Sequence, residues 1–196
     1  MTLPDLLDIT FQVTYVLEKL GIPYYIGGSV ASSAFGMARA TLDVDLVADI
    51  KSEHVSALEK ALRDDFYIDN EMVLEAVRQR TCFNVIHMNT AFKVDVFIVK
   101  DRELSRIALR RRVKKNIYEK GFQELFFASP EDIILAKLEW YKAGGEIGER
   151  QWMDILGVIK VQGSMLDVDY LKKWAEKINV LDLLMKALRE GGMLKL

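Results

Sequence analysis

Between residues 5 and 20, Leu6, Leu7, Phe11, Tyr15, Val16 and Leu20 recur at helical spacing, and Gly21 with Pro23 ends the run. The period then shortens. Tyr24-Tyr25-Ile26 predicts a brief strand stopping at Gly27-Gly28, followed by a small-residue helix over 30–35 that Ser29 would cap. Residues 43–48 alternate in the manner of a strand. Helices are expected over 52–63, where Val55, Leu58 and Leu62 share a face, and over 71–80. Strands over 82–88 and 92–99 are joined by Asn89-Thr90-Ala91. From 102 to 128 the pattern predicts a short helix, then a strand pair turning near Lys120-Gly121.

After residue 128 the spacing is helical throughout. Ser129-Pro130-Glu131-Asp132 combines an N-cap, a proline in the first turn and two acids at the positive helix end. Helices are predicted over 130–142, 148–161, 167–177 and 180–189, with Gly144-Gly145 and Gly163-Ser164 as breaks. The order predicts an α/β (α+β) core over residues 1–128, a small mixed sheet flanked by helices. A helical region over 129–196 is expected to pack on that core. No internal repeat or low-complexity tract interrupts it.

Composition narrows the class. With 196 residues, 51% of them hydrophobic, the chain can bury a core without covalent staples. The single cysteine, Cys82, excludes an internal disulfide and fits a reducing compartment; its apolar surroundings predict a buried structural thiol. No run approaches the ~18 apolar residues of a membrane span, and Met1-Thr2-Leu3-Pro4-Asp5 lacks the form of a signal peptide. A soluble cytoplasmic protein is expected. The net charge of −2 offers no global attraction for phosphate backbones, so a nucleic-acid partner would need a local patch.

Three features carry chemistry. Gly27-Gly28-Ser29 lies at a strand-to-helix turn, where missing Cβ atoms let backbone approach a triphosphate and the helix start offers N–H groups. Asp43 and Asp45, two apart in a strand, share one face. Asp95 sits in the apolar run Val94-Asp95-Val96, where a charge needs a partner or a function. If the Asp95 strand pairs beside the Asp43-Asp45 strand, three carboxylates converge. Such a set suits Mg²⁺, or Mn²⁺ in its place, held together with phosphate oxygens.

The segments Ile26-Gly27-Gly28-Ser29, Arg39-Ala40-Thr41-Leu42-Asp43-Val44-Asp45-Leu46 and Lys93-Val94-Asp95-Val96 resemble the nucleotidyltransferase superfamily that includes polymerase-β-like enzymes. The Arg-x-Thr-x-Asp-x-Asp-Leu wording is similar to the AbiEii-type toxin and lincosamide nucleotidyltransferase branch. Ala136-Lys137-Leu138 with Arg150-x-x-x-Asp154 is similar to a final motif of that branch, and the likeness spans roughly residues 22–160. The resemblance implies a nucleotidyltransferase fold and an NTP substrate. It also implies metal ligation and catalysis by Asp43, Asp45 and Asp95, and nucleotide binding by Gly27, Gly28, Ser29, Arg39, Lys137 and Arg150. One helical turn separates Arg150 from Asp154, so a pair on one face is expected, with Asp154 orienting Arg150. Lys137 would reach them only if the Gly144-Gly145 hairpin folds it back.

Other features are weighed against plainer roles. Arg39 either contacts a phosphate or neutralises the acids, and Thr41 can be a strand entry. The run Arg110 to Lys115 reads first as a solvated face and second as an acceptor patch for RNA or another polyanion. Trp140, Tyr141 and Trp152 fit helix packing, and His54 and His87 lack partners at ligand spacing. One cysteine and two histidines exclude a zinc site in practice, and the Asp-x-Asp segment lacks the third ligand and glycine of an EF-hand. The activity expected is transfer of a nucleoside monophosphate from an NTP to a hydroxyl on a small molecule, an RNA end or a protein. The alternative is an antitoxin-like or regulatory nucleotide-binding protein acting by contact with a partner protein.

Overall fold

The computed structural model describes residues 6–41, 43–116 and 124–194. In chain order its elements are α1 (Leu6–Lys19), β1 (Tyr24–Ile26), α2 (Gly28–Phe35), β2 (Asp43–Ala48), α3 (Ser52–Leu62), β3 (Phe66–Tyr67), α4 (Asn70–Gln79), β4 (Cys82–His87) and β5 (Lys93–Ile98). These are followed by α5 (Glu103–Arg111), β6 (Val113–Asn116), β7 (Glu124–Phe127), α6 (Pro130–Ala143), α7 (Glu149–Gln162), a 3-10 turn (Gly163–Met165), α8 (Val168–Lys177) and α9 (Leu181–Glu190). The residues group into two compact units, Met1–Gly27 with Thr41–Phe127 and Gly28–Ala40 with Ala128–Leu196.

The first unit holds the sheet, in strand order β3-β4-β5-β2-β1-β7-β6. β2 and β5 run parallel, as do β1 and β7, while the other neighbours are antiparallel. The period of two along each central strand decides what is buried. Val44, Leu46, Val94, Val96, Phe83 and Val85 point to one face and are at most 2% exposed. Each such side chain stabilises the fold by roughly 1.5–3 kcal/mol. Along this sheet α1 contacts β2 and α4 contacts β4, with α3 against both helices. The Tyr24 hydroxyl donates to Glu18 (2.9 Å), tying β1 to α1, and burial followed by the Glu18 carboxylate raises its pKa well above the ordinary phenol range.

Alternation also accounts for Cys82. It opens β4 on the face opposite Phe83 and Val85 and is exposed, so the expectation of a buried thiol is corrected. The two-residue strand β3 lies below the length at which a period can be read. His54 accepts the Lys51 backbone N–H at its Nδ1 (3.1 Å), closing the first turn of α3. His87 is buried, with its Nδ1 2.8 Å from Thr90 Oγ1. The expected turn near Lys120-Gly121 lies outside the described residues.

The second unit is helical. α2 packs on α6 and α7 through buried Val30, Ala31 and Ser32, which groups it with the C-terminal helices. Ser129 caps α6 by accepting the Asp132 N–H (3.2 Å), as its sequence predicts. Tyr170 donates to Asp132 (2.7 Å) and the Asp167 N–H to Glu131 (3.1 Å), fastening α8 to α6. Trp152 Nε1 donates to Glu190 (2.7 Å), joining α7 to α9, and its ring lies 5.1 Å from that of Tyr141. Trp140 departs from the packing expected of it, being 60% exposed. No helix among the described residues is long and apolar enough to cross a membrane.

Candidate active site

Within the first unit the chemistry lies on the sheet face opposite the core. Because Val44 and Leu46 point inward, Asp43 and Asp45 point outward; because Val94 and Val96 point inward, Lys93 and Asp95 do the same. The parallel register sets Asp45 opposite Asp95 and Asp43 opposite Lys93. Adjacent strands are roughly 4.8 Å apart, so the Asp45 and Asp95 carboxylates share one small area. Like charges this close repel, and the site supplies its own cation. Lys93 Nζ lies 3.0 Å from Asp95 Oδ2. The hydrogen bond to Asp95 leads in raising the lysine's pKa; burial opposes it, and the charges of Asp95, Asp43 and Asp45 add to the rise. On the other side, Asn84 Nδ2 donates to Asp95 Oδ1 from β4, its register neighbour. Asp95 is thereby held at both oxygens.

The donor set suits a hard divalent cation. Among the described residues, no group of three or more His, Cys, Asp or Glu stands close enough to hold a metal unaided. Mg²⁺ needs no such cage, since it takes one or two carboxylates and completes its shell with water and phosphate oxygens. Asp43 and Asp45, on the exposed end of β2, fit an ion that arrives bound to phosphates.

Gly27 follows β1, and its N–H donates to the Asp45 carbonyl (2.8 Å), fixing the turn beside the acid-bearing strand. A Cβ there would meet Tyr25 and Asp45 only at ordinary contact distances of 3.9 and 4.0 Å. Packing within the protein therefore does not require glycine at 27. Gly28 differs, because its φ of +53° is one that glycine adopts without strain.

In the second unit, α2 starts at Gly28, so Ser29 lies inside its first turn rather than capping it. Ser29 Oγ instead accepts from Arg39 Nη2. The Arg39 guanidinium also grips Asp154 with both arms, Nε to Oδ1 at 2.9 Å and Nη2 to Oδ2 at 3.1 Å. Lys137 Nζ donates to Asp154 Oδ2 (2.9 Å) and to Gln151 Oε1 (3.0 Å). Burial alone would raise the Asp154 pKa, but hydrogen bonds from Arg39 and Lys137 outweigh it, and the net shift is downward. The same contact raises the pKa of Arg39. Two cations thus share one carboxylate, leaving the cluster with an excess positive charge.

This arrangement corrects the expected pairing of Arg150 with Asp154. Both Asp154 oxygens are taken by Arg39 and Lys137, and Arg150 is exposed on α7. The Gly144-Gly145 break does fold Lys137 of α6 back on α7. Three contributors escape the sequence reading: Lys93, Asn84 and Gln151. Lys93 could have been found, since it precedes Asp95 by two in one strand. Asn84 requires the β4–β5 register, and Gln151 requires the α6–α7 packing.

Neither a family model nor a curated protein matches the chain. Solved structures do. An antigenic nucleotidyltransferase-like protein from Paracoccidioides brasiliensis superposes with a TM-score of 0.55 at 19% identity, over 92% of this chain and 91% of that one. ANT(2'')-Ia in complex with adenylyl-2''-tobramycin gives a TM-score of 0.53 at 13% identity, over 91% and 95%. The solution structure of the antibiotic-resistance factor ANT(2'')-Ia gives 0.51 at 15%, over 93% and 91%. The chain has a nucleotidyltransferase-like fold.

Proposed function

We propose that this protein is a Mg²⁺-dependent nucleotidyltransferase that moves a nucleoside monophosphate from an NTP to an acceptor hydroxyl. The observation that carries the reading is the register of β2 and β5, which sets Asp45 opposite Asp95 with Asp43 on the same face, in a nucleotidyltransferase-like fold. Such acids are costly to keep together without a cation to bind.

In this reading Asp43 and Asp45 hold Mg²⁺ with the nucleotide phosphates. The ion, when bound, neutralises triphosphate charge and favours departure of pyrophosphate. Gly27 leaves room for close backbone approach, and Gly28 sets the turn. Ser29, Arg39 and Lys137 supply hydroxyl and cationic groups for phosphate, with Asp154 and Gln151 fixing the two cations. Arg150, exposed on α7, is a further cation for the nucleotide. The acceptor oxygen attacks the α-phosphorus, the bond to pyrophosphate breaks, and Asp95 takes the hydroxyl proton. Asn84 and Lys93 hold Asp95 in position for that role. Catalysis in this scheme is mainly positioning and charge compensation.

The test is incubation of purified protein with each α-³²P-labelled NTP and Mg²⁺, with cell lysate, bulk tRNA and hydroxyl-rich antibiotics as acceptor pools. Asp43→Asn is run alongside. Label in an acceptor with wild type only supports the proposal. Equal labelling by Asp43→Asn overturns it.

A further inference from the structure

A second charged feature lies at the opposite ends of the same strands. Where β2 and β5 finish, the first unit opens into a cleft of about 280 Å³ whose lining includes Arg80, Lys100, Arg106, Arg110, Asp49 and Asp101. Asp95 and Lys100 are five residues apart along β5 and its continuation, or ~16 Å at strand rise, so the cleft is separate from the carboxylate face. We propose that this cleft is a binding site for a phosphate group.

Four cations line the cleft against two acids. Among the described residues, Arg106 alone of these cations is committed to one of those acids, by an ion pair with Asp101. The side chains of Lys100 and Arg110 make no ion pair among the described residues. Arg106 and Arg110 are four apart on α5, one above the other on a single helical face. Like charges at that spacing weaken a helix unless an anion lies between them. Arg80 shows the same bias. It ends α4 in the left-handed region, with φ 51° and ψ 46°, a position where glycine is the usual residue. Its Nη1 donates to the Val99 carbonyl (2.8 Å), which anchors the guanidinium at the strand end. A planar guanidinium fixed in this way is suited to phosphate oxygens.

The wider charge pattern supports the same ligand. Residues 100–115 hold eight lysines and arginines against two acids, in a chain whose net charge is −2. Three of those eight cations, Lys100, Arg106 and Arg110, line the cleft. The shared chemistry is a phosphate oxyanion, from either a free phosphorylated small molecule or a phosphodiester chain.

The experiment is a ¹H–¹⁵N NMR titration of the full chain in EDTA and ~50 mM salt. One arm uses inorganic phosphate and the other a twelve-nucleotide oligouridylate. Wild type, Arg110→Gln, Arg80→Gln and the charge-matched surface control Lys60→Gln are compared, with unperturbed spectra elsewhere serving as the folding check. The proposal expects saturable shifts at Lys100, Arg106 and Arg110, with affinity reduced about 5- to 10-fold in the two cleft variants and unchanged in the control. For the oligonucleotide, each cleft variant should also lower the salt slope by about one. Saturation by phosphate alone identifies a small-molecule source, and saturation by the oligonucleotide alone a phosphodiester source. Equal affinity in Arg110→Gln and Lys60→Gln, or no saturable shift with either probe, overturns it. Because metal is absent, failure here leaves the transferase test untouched.

Discussion

Asp45 of β2 stands directly opposite Asp95 of β5, and Lys93 is bound to Asp95 at 3.0 Å. Two like-charged side chains directly opposite each other repel, which predicts a conflict between stability and activity. In EDTA, Asp45→Asn should stabilise the fold by on the order of 0.5 kcal/mol, because a facing like charge is removed. With Mg²⁺ and NTP it should lose the ligand-dependent rise in Tm seen for wild type, and transfer should fall by at least about 100-fold. Urea unfolding with and without ligand, together with the labelling assay, checks both halves.

Gly27 and Gly28 are adjacent but glycine for different reasons. A methyl at 27 meets only ordinary contacts, so Gly27→Ala should change stability by less than about 0.5 kcal/mol. If triphosphate fills the space over that backbone, NTP binding should weaken about 10-fold or more. Gly28→Ala forces φ +53° on a residue with a Cβ and should cost about 1 kcal/mol in stability. Calorimetric NTP titration and denaturant midpoints separate the two. Comparable binding by Gly27→Ala and wild type would remove the phosphate role of that turn.

Much of the carboxylate face was legible in the sequence because a strand has a period of two. Val44, Leu46, Val94 and Val96 face the core, so the acids between them must face out. The pairing of Asp45 with Asp95 was only conditional, since register depends on which strands become neighbours. The Arg39–Asp154 contact was out of reach for another reason. It joins residues 115 positions apart through the packing of α2 on α7. Local spacing instead favoured Arg150, one turn from Asp154 on the same helix, although the buried carboxylate is satisfied from elsewhere. Cys82 was misread because an apolar neighbourhood in sequence was taken for burial, whereas alternation turned it outward.

Asp154 should be a pH-sensitive support of the second unit. Its folded pKa lies below the ordinary 3.8 because Arg39 and Lys137 favour the charged form more than burial disfavours it. The unfolded chain therefore binds the proton more readily, and the stabilising contribution is complete above the unfolded value. It is lost as pH falls through the depressed folded value. Asp154→Asn leaves Lys137 buried without its anionic partner and should cost about 2–4 kcal/mol near neutrality, once the more exposed Arg39 arm is discounted. The gap between wild type and variant should stay constant from about pH 7 to 5 and narrow below about pH 4. A gap that widens on acidification would contradict this assignment. Lys137→Met should partly rescue Asp154→Asn, since the two changes share one network.

The last prediction concerns what brings Arg39 to Asp154. α2 ends against α7 at Gly36, where a Cβ would fall 2.7 Å from Val158 N and 2.8 Å from Gly157 C. Both are backbone atoms, so no rotamer change relieves the clash, and Gly157 in turn lies close to Met37. Gly36→Ala must push the end of α2 away from α7, at a cost of about 2–4 kcal/mol typical of overpacking against fixed backbone. Arg39, three residues beyond, moves with it and loses its two-armed geometry on Asp154. The expected signature is combined: a lower denaturant midpoint, a smaller loss when Asp154→Asn is added than in the wild-type background, and weaker NTP binding with the Asp43 and Asp45 face unchanged. Strict additivity of Gly36→Ala and Asp154→Asn would show that close approach of the two helices is not what sets the Arg39 contact.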